Sequence, residues 1–175
     1  MAGPGRSGRS TALLTMARSL LRAQTPILVI TPRRSPLRSL DGEPGVLAML
    51  GADFEPDVLR EKLNPLERYA VIVDDAELLA GAENADILER VIHTGRDTDH
   101  GMILAGTTAD LARSYSGFIP AALRSRSGVL FVDAPTDGDL FRVQLPRNAQ
   151  AAGLGRALLL HGGVPTPVQL SASQP

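Results

Sequence analysis

The chain has 175 residues, 43% of them hydrophobic and 21% charged, with a formal net charge of −1 at pH 7; this is the balance of an ordinary globular domain with one substantial core and argues against gross disorder. It contains no cysteine, which excludes disulfides and thiolate metal sites, and His93, His100 and His161 are not spaced as a metal cluster. No apolar run approaches the roughly 18 residues that a membrane span needs, so no segment is expected to insert into a bilayer.

In chain order, Gly3 to Ser10 reads GPGRSGRS, a near match to the phosphate-binding pattern G-x-x-x-x-G-K-S/T with Arg9 where lysine is usual. Ser10 to Arg22 is predicted helical, because Leu13, Met16, Ala17, Leu20 and Leu21 fall on one face. Gln24, Thr25 and Pro26 end that helix, and ILVIT follows as a fully buried strand. TPRRSPLRSLDGEPG is a Pro- and Gly-rich loop, and residues 46–63 are expected to be helical in two pieces broken near Gly51 and Pro56. A second buried strand is placed at Tyr69 to Asp74, a helix at residues 84–94, and a third strand at GMILAGT. Ala109 to Leu123 is expected to be mostly helical with a break at Ser116 and Gly117, and GVLFVDA to be a fourth strand. The final GRALLLHGGVPTPVQLS has two apolar runs around Gly162 and Gly163, the pattern of a β-hairpin, with residues 171–175 expected to fray. Strands alternating with helices predict an α/β domain with a mostly parallel sheet flanked by helices, one domain over residues 1–170.

Charge is unevenly spread: residues 1–40 carry seven arginines and no acid, while the remainder carries 11 basic against 19 acidic residues. An acid-free, Arg- and Ser-rich start also has the composition of a transit peptide, but Arg18 interrupts the apolar stretch and no clean cleavage pattern follows it. The basic end is where an anionic ligand belongs. Glycines let successive backbone N–H groups turn inward around a phosphate, and the following helix points its positive end at the same anion. Gly3, Gly5, Ser7 and Gly8, with Ser10 and Thr11 opening the helix, meet that requirement, and Ser10 occupies the position of a Mg²⁺-ligating hydroxyl. Arg9 keeps the charge of a lysine but is planar and forked.

AVIVDD, Ala70 to Asp75, is an apolar strand ending in two carboxylates, the form of a Walker B motif, with Asp74 in the metal-supporting place and Asp75 in the place of the catalytic base. Asp75 is one methylene shorter than the usual glutamate. Solvated turn acids are the competing reading. At the next strand end, Thr107 or Thr108 lies beside the same crevice, where a polar residue could sense the γ-phosphate; a Thr N-cap for the helix that follows is the competing reading. Arg124 and Arg126 precede the fourth strand, where surface charge is the favoured reading over a finger reaching a neighbouring nucleotide. Aromatic residues make up 3% of the chain, too few to stack nucleic-acid bases. A phosphate loop ordinarily hangs from a buried strand, and only Met1 and Ala2 stand before Gly3, so an N-terminally truncated domain lacking its first strand is expected.

In order, GPGRSGRSTALLTMARSLL, ILVITPRRSPL, VIVDDAELL, MILAGTTADL, GVLFV and GRALLLHGGVPTPVQL resemble the ATPase domain of FtsK/SpoIIIE-type proteins, most of all the degenerate domains of actinobacterial type VII secretion motors. The resemblance spans Gly3 to about Leu170. It implies a RecA-like P-loop NTPase fold with ATP and Mg as ligands: Gly3, Gly5, Ser7, Gly8, Arg9, Ser10, Thr11 and Thr107 around the nucleotide, Ser10 and Asp74 at the metal, and Asp75 as the base. It further implies neighbouring ATPase domains or a homo-oligomeric ring at the cytoplasmic side of a membrane, with DNA or a secreted protein as substrate. A nucleotide-free docking module is the alternative.

Overall fold

The structure is a computed structural model that describes residues 1–95, 98–149 and 153–171. Four strands, β1 (Ile27–Ile30), β2 (Val46–Leu50), β3 (Arg68–Val73) and β4 (Asp99–Leu104), form a parallel sheet in the order β2-β1-β3-β4. β1 and β3 carry apolar side chains on both faces and are buried throughout, apart from Arg68 at the start of β3. Leu28, Ile30, Val71 and Val73 point into one core cluster, and Ile27, Val29, Ala70 and Ile72 into the other. This two-sided burial is what a continuous apolar run predicts for a central parallel strand.

Helix α1 (Arg9–Arg22) covers the second cluster through Ala12, Leu13 and Ala17, joined by Leu37 and Leu40 of a 3-10 helix at Pro36–Leu40. On the opposite face lie α2 (Pro56–Leu63), α3 (Asp86–Thr94), α4 (Thr108–Ala112) and α5 (Phe118–Leu123), whose Leu59, Leu63, Leu88, Val91, Leu111 and Phe118 fill the first cluster. Three further strands, β5 (Gly128–Leu130), β6 (Arg156–His161) and β7 (Val164–Gln169), form an antiparallel sheet. β6 and β7 are the expected hairpin, turning at Gly162 and Gly163 with φ of 57° and 83°, the left-handed pair that a two-residue hairpin loop needs. Pro165 and Pro167 lie on its outer strand, where no further ladder demands their missing N–H.

Two expectations are corrected. Residues 46–50 form β2, not a helix: VLAML has high helix propensity, but its backbone pairs with β1 from Ile27–Val46 to Ile30–Leu50, and tertiary pairing overrides propensity. The run at GVLFVDA is strand only over Gly128–Leu130, and it pairs with β6 in the antiparallel sheet. Ala109 to Leu123 breaks as expected, at Gly117 with φ of 82°, but into the two short helices α4 and α5. Within residues 171–175, only Ser171 lies among the described residues.

One residue joins the two sheets. Ala2 bridges in parallel to Gly106, beyond the end of β4, and to Leu130 of β5. Its N–H donates to Val129 O at 2.9 Å and its C=O accepts from Phe131 N–H at 2.8 Å, while Gly106 N–H donates to Met1 O. The edges of β4 and β5 therefore stand one strand-width apart. Alongside Met1 the gap is a cavity of about 270 Å³, walled by Met102, Leu104, Val129 and Met16. β4 is correspondingly only half-buried over His100–Ile103, although it lies between the two sheets.

Candidate phosphate and carboxylate site

The Ala2 rung delivers the chain into Gly3 at the carboxyl edge of the sheet, the edge where open α/β folds bind ligands. Gly3 lies so close to the end of β5 that a Cβ there would meet Phe131 Cβ at 2.6 Å. Gly8 turns the chain with φ of 98° into α1. This helix end has no side-chain cap and no acid in its first turn. Its amide dipole is therefore left open to an anion. Ser7 Oγ is buried and has no hydrogen-bond partner among the described residues. A buried hydroxyl without a partner is costly unless a ligand engages it. Ser10 is half-buried and Thr11 exposed, so both hydroxyls are open to solvent beside the loop. These features fit a phosphate group bound at residues 5–11.

Arg9 behaves otherwise. It is buried, donates from Nη1 to Gly3 O, and places Nη2 3.6 Å from Asp75 Oδ1. Its fork clamps the loop to the end of β3. Asp74, also buried, accepts from Ser35 Oγ at 2.7 Å and from the Asp75 N–H at 3.2 Å. Asp75 has φ of 47° and ψ of 49°, a left-handed conformation uncommon for a non-glycine residue. Burial and then the charge of Asp74 raise its carboxyl above the usual range, against the smaller opposing effects of Arg9 and Arg33.

Glu77 was not singled out from the sequence, yet it belongs to the same group. Its Oε1 accepts the Thr107 N–H at 3.2 Å, and its Oε2 is buried without a hydrogen-bond partner among the described residues. Burial pushes its pKa up, partly offset by backbone N–H donors and Arg9. The available signal was its spacing, two residues after Asp75, which a 3-10 turn at Ala76–Leu79 brings back toward β4. The Thr107 hydroxyl donates to Asp110 Oδ2 at 2.6 Å and accepts from the Asp110 N–H at 3.2 Å. It caps α4, while its own N–H holds Glu77. The loop residues Gly3 to Thr11, the carboxylates Asp74, Asp75 and Glu77, and Thr107 thus gather at one sheet edge, with Arg9–Asp75 and Glu77–Thr107 in direct contact.

The fold matches solved ATPase domains over nearly its whole length. The cytoplasmic domain of EssC superposes with a TM-score of 0.78 at 13% identity, over 98% of this chain and 38% of that one. The chain has the fold of type VII secretion ATPase domains. ATPases 2 and 3 of Thermomonospora curvata EccC, in complex with a signal sequence peptide, match with a TM-score of 0.73 at 16% identity, over 99% of this chain and 36% of that one. The genome packaging NTPase B204 of Sulfolobus turreted icosahedral virus 2, in complex with ATP-gammaS, matches with a TM-score of 0.64 at 11% identity, over 95% of this chain and 93% of that one. This chain therefore spans little more than a third of the EssC and EccC chains and nearly all of the viral NTPase domain. No protein-family model and no curated protein matches the sequence. The α/β fold with a parallel sheet flanked by helices, expected from the sequence, is shared with these solved ATPase and NTPase structures. No helix among the described residues is long and apolar enough to cross a membrane.

Proposed function

We propose that this chain is a Mg-ATP-binding domain of an FtsK/SpoIIIE-like ATPase with weak or absent hydrolysis. The observation that carries the reading is the uncapped, acid-free start of α1 under a glycine loop, with the buried, unpartnered Ser7 hydroxyl beside it. The amides of Gly8, Arg9, Ser10 and Thr11 bind phosphate, with Gly3 and Gly5 shaping the loop. Ser10 and Asp74 hold the metal, and Thr107 lies at the γ-phosphate end. Bound Mg²⁺ neutralises phosphate charge and fixes the nucleotide's orientation. Asp75 takes the position of the base, but its ion pair with Arg9 and its short side chain oppose proton abstraction. Titration calorimetry tests this reading. Mg-ATP binding weakened by Ser10→Ala and by Asp74→Ala supports it, and no binding by a folded chain overturns it.

A second reading, a P-loop fold kept as a nucleotide-free docking module, is favoured by the buried Arg9 clamp, which satisfies the loop internally. Under either reading, the domain works beside other ATPase domains or in a ring at the cytoplasmic side of a membrane. DNA or a secreted protein is then the translocated substrate. EccC was solved with a signal sequence peptide, which supports the protein substrate. Hydrolysis stimulated by DNA with steep salt dependence is the signature of the DNA alternative.

A further inference from the structure

Away from the phosphate loop, a cavity of about 450 Å³ lies between α4, α5 and the 3-10 helix Pro135–Phe141. Arg124, Arg126 and Arg142 line it, with Leu123 and Phe141 among its apolar walls and Asp139 as its carboxylate. None of the three guanidinium groups has a hydrogen bond or ion pair among the described residues. All four charged residues are exposed, and three cations against one acid leave a surplus of positive charge around an open cleft.

The backbone supplies a second, independent observation. Among the described residues, five non-glycine positions have left-handed φ, and two of them, Arg126 at 49° and Arg142 at 56°, line this cavity. Arg142 is the C-cap of the 3-10 helix, its N–H donating to Asp139 O, and Arg126 lies two residues beyond the C-cap of α5, Arg124, its N–H donating to Leu123 O. Helix ends of this kind ordinarily take glycine, which adopts the conformation without strain. Arginine at both positions is less stable than glycine would be. Strain of this sort persists where the side chain has work to do.

We propose that this cavity is an oxyanion site for a small phosphorylated ligand carrying more than one negative charge. Arginine forks match phosphate oxygens in geometry and charge, and the surplus of cations over Asp139 calls for a multiply charged anion. At about 450 Å³ the cleft has the size of a small ligand. No residue of the phosphate loop lines it, so this proposal stands or falls independently of the nucleotide reading.

The test uses pyrophosphate titrated into the full chain carrying Gly5→Asp, which places a repelling charge in the phosphate loop at a position with open space around it. Ser10→Asp serves as a second blocked background. The proposal expects pyrophosphate to bind in both backgrounds and to bind at least tenfold more weakly when Arg126→Gly and Arg142→Gly are added. It also expects the melting temperature without ligand to stay unchanged or rise, because glycine relieves the strain. Loss of binding with Arg124→Gln would place the third guanidinium in the site. The proposal is overturned if pyrophosphate does not bind to the folded blocked chains, or if the two glycine substitutions leave its affinity unchanged. A single-stranded oligonucleotide that binds through these arginines and is not displaced by pyrophosphate would also overturn it.

Discussion

The Arg9 guanidinium lies 3.6 Å from the Asp75 carboxylate while its other amino group donates to Gly3 O, so one side chain ties both ends of the loop to the end of β3. A lysine there has a single ammonium and cannot hold both partners in the same geometry. Arg9→Lys is expected to release the loop and raise Mg-ATP affinity by about tenfold, since lysine reaches phosphates as a mobile point charge. Calorimetry and thermal denaturation on the same samples check this. A lower melting temperature with unchanged affinity would make Arg9 a structural clamp alone.

Glu77 carries a buried, unpartnered oxygen and a raised pKa. For an acid raised in the folded state, the stabilising contribution is present at low pH and is lost as pH rises through the folded pKa. Glu77→Gln keeps an oxygen to accept the Thr107 N–H and removes the charge. The variant should match or exceed the parent in stability at pH 7, and that difference should narrow as pH falls toward the usual carboxylate range. Denaturant titration at several pH values reads both effects.

Thr107 has two roles to separate. As the N-cap of α4, its loss in Thr107→Ala should cost about 1 kcal/mol, and Thr107→Ser should restore most of it. Should the hydroxyl also meet the γ-phosphate, Thr107→Ala will weaken Mg-ATP more than Mg-ADP. Equal effects on both nucleotides would leave it a cap only.

Much of this arrangement was legible because local pattern and tertiary role agree. α1 announces itself through Leu13 and Ala17 on one face, and β1 and β3 through unbroken apolar runs, since central parallel strands bury both faces. VLAML misled because four of its five residues favour helix and nothing in them records that β1 has an open edge beside them. Glu77 was hidden for a similar reason. Its relation to Thr107 spans 30 residues and depends on β3 and β4 ending at the same level. The inward turn of Arg9 has no sequence signature either, because it depends on the position of Asp75 beyond β3. The joining of the two sheets through Ala2 is equally a matter of three-dimensional placement.

The central claim is that the amides opening α1 bind phosphate, and backbone NMR of the labelled chain under Mg-ATP titration tests it most directly. The account predicts saturable shifts at the amides of Gly8, Arg9, Ser10 and Thr11, reduced in Ser10→Ala and in Asp74→Ala. A folded chain whose loop amides do not move at saturating Mg-ATP, or move only with signals elsewhere on the surface, would contradict it.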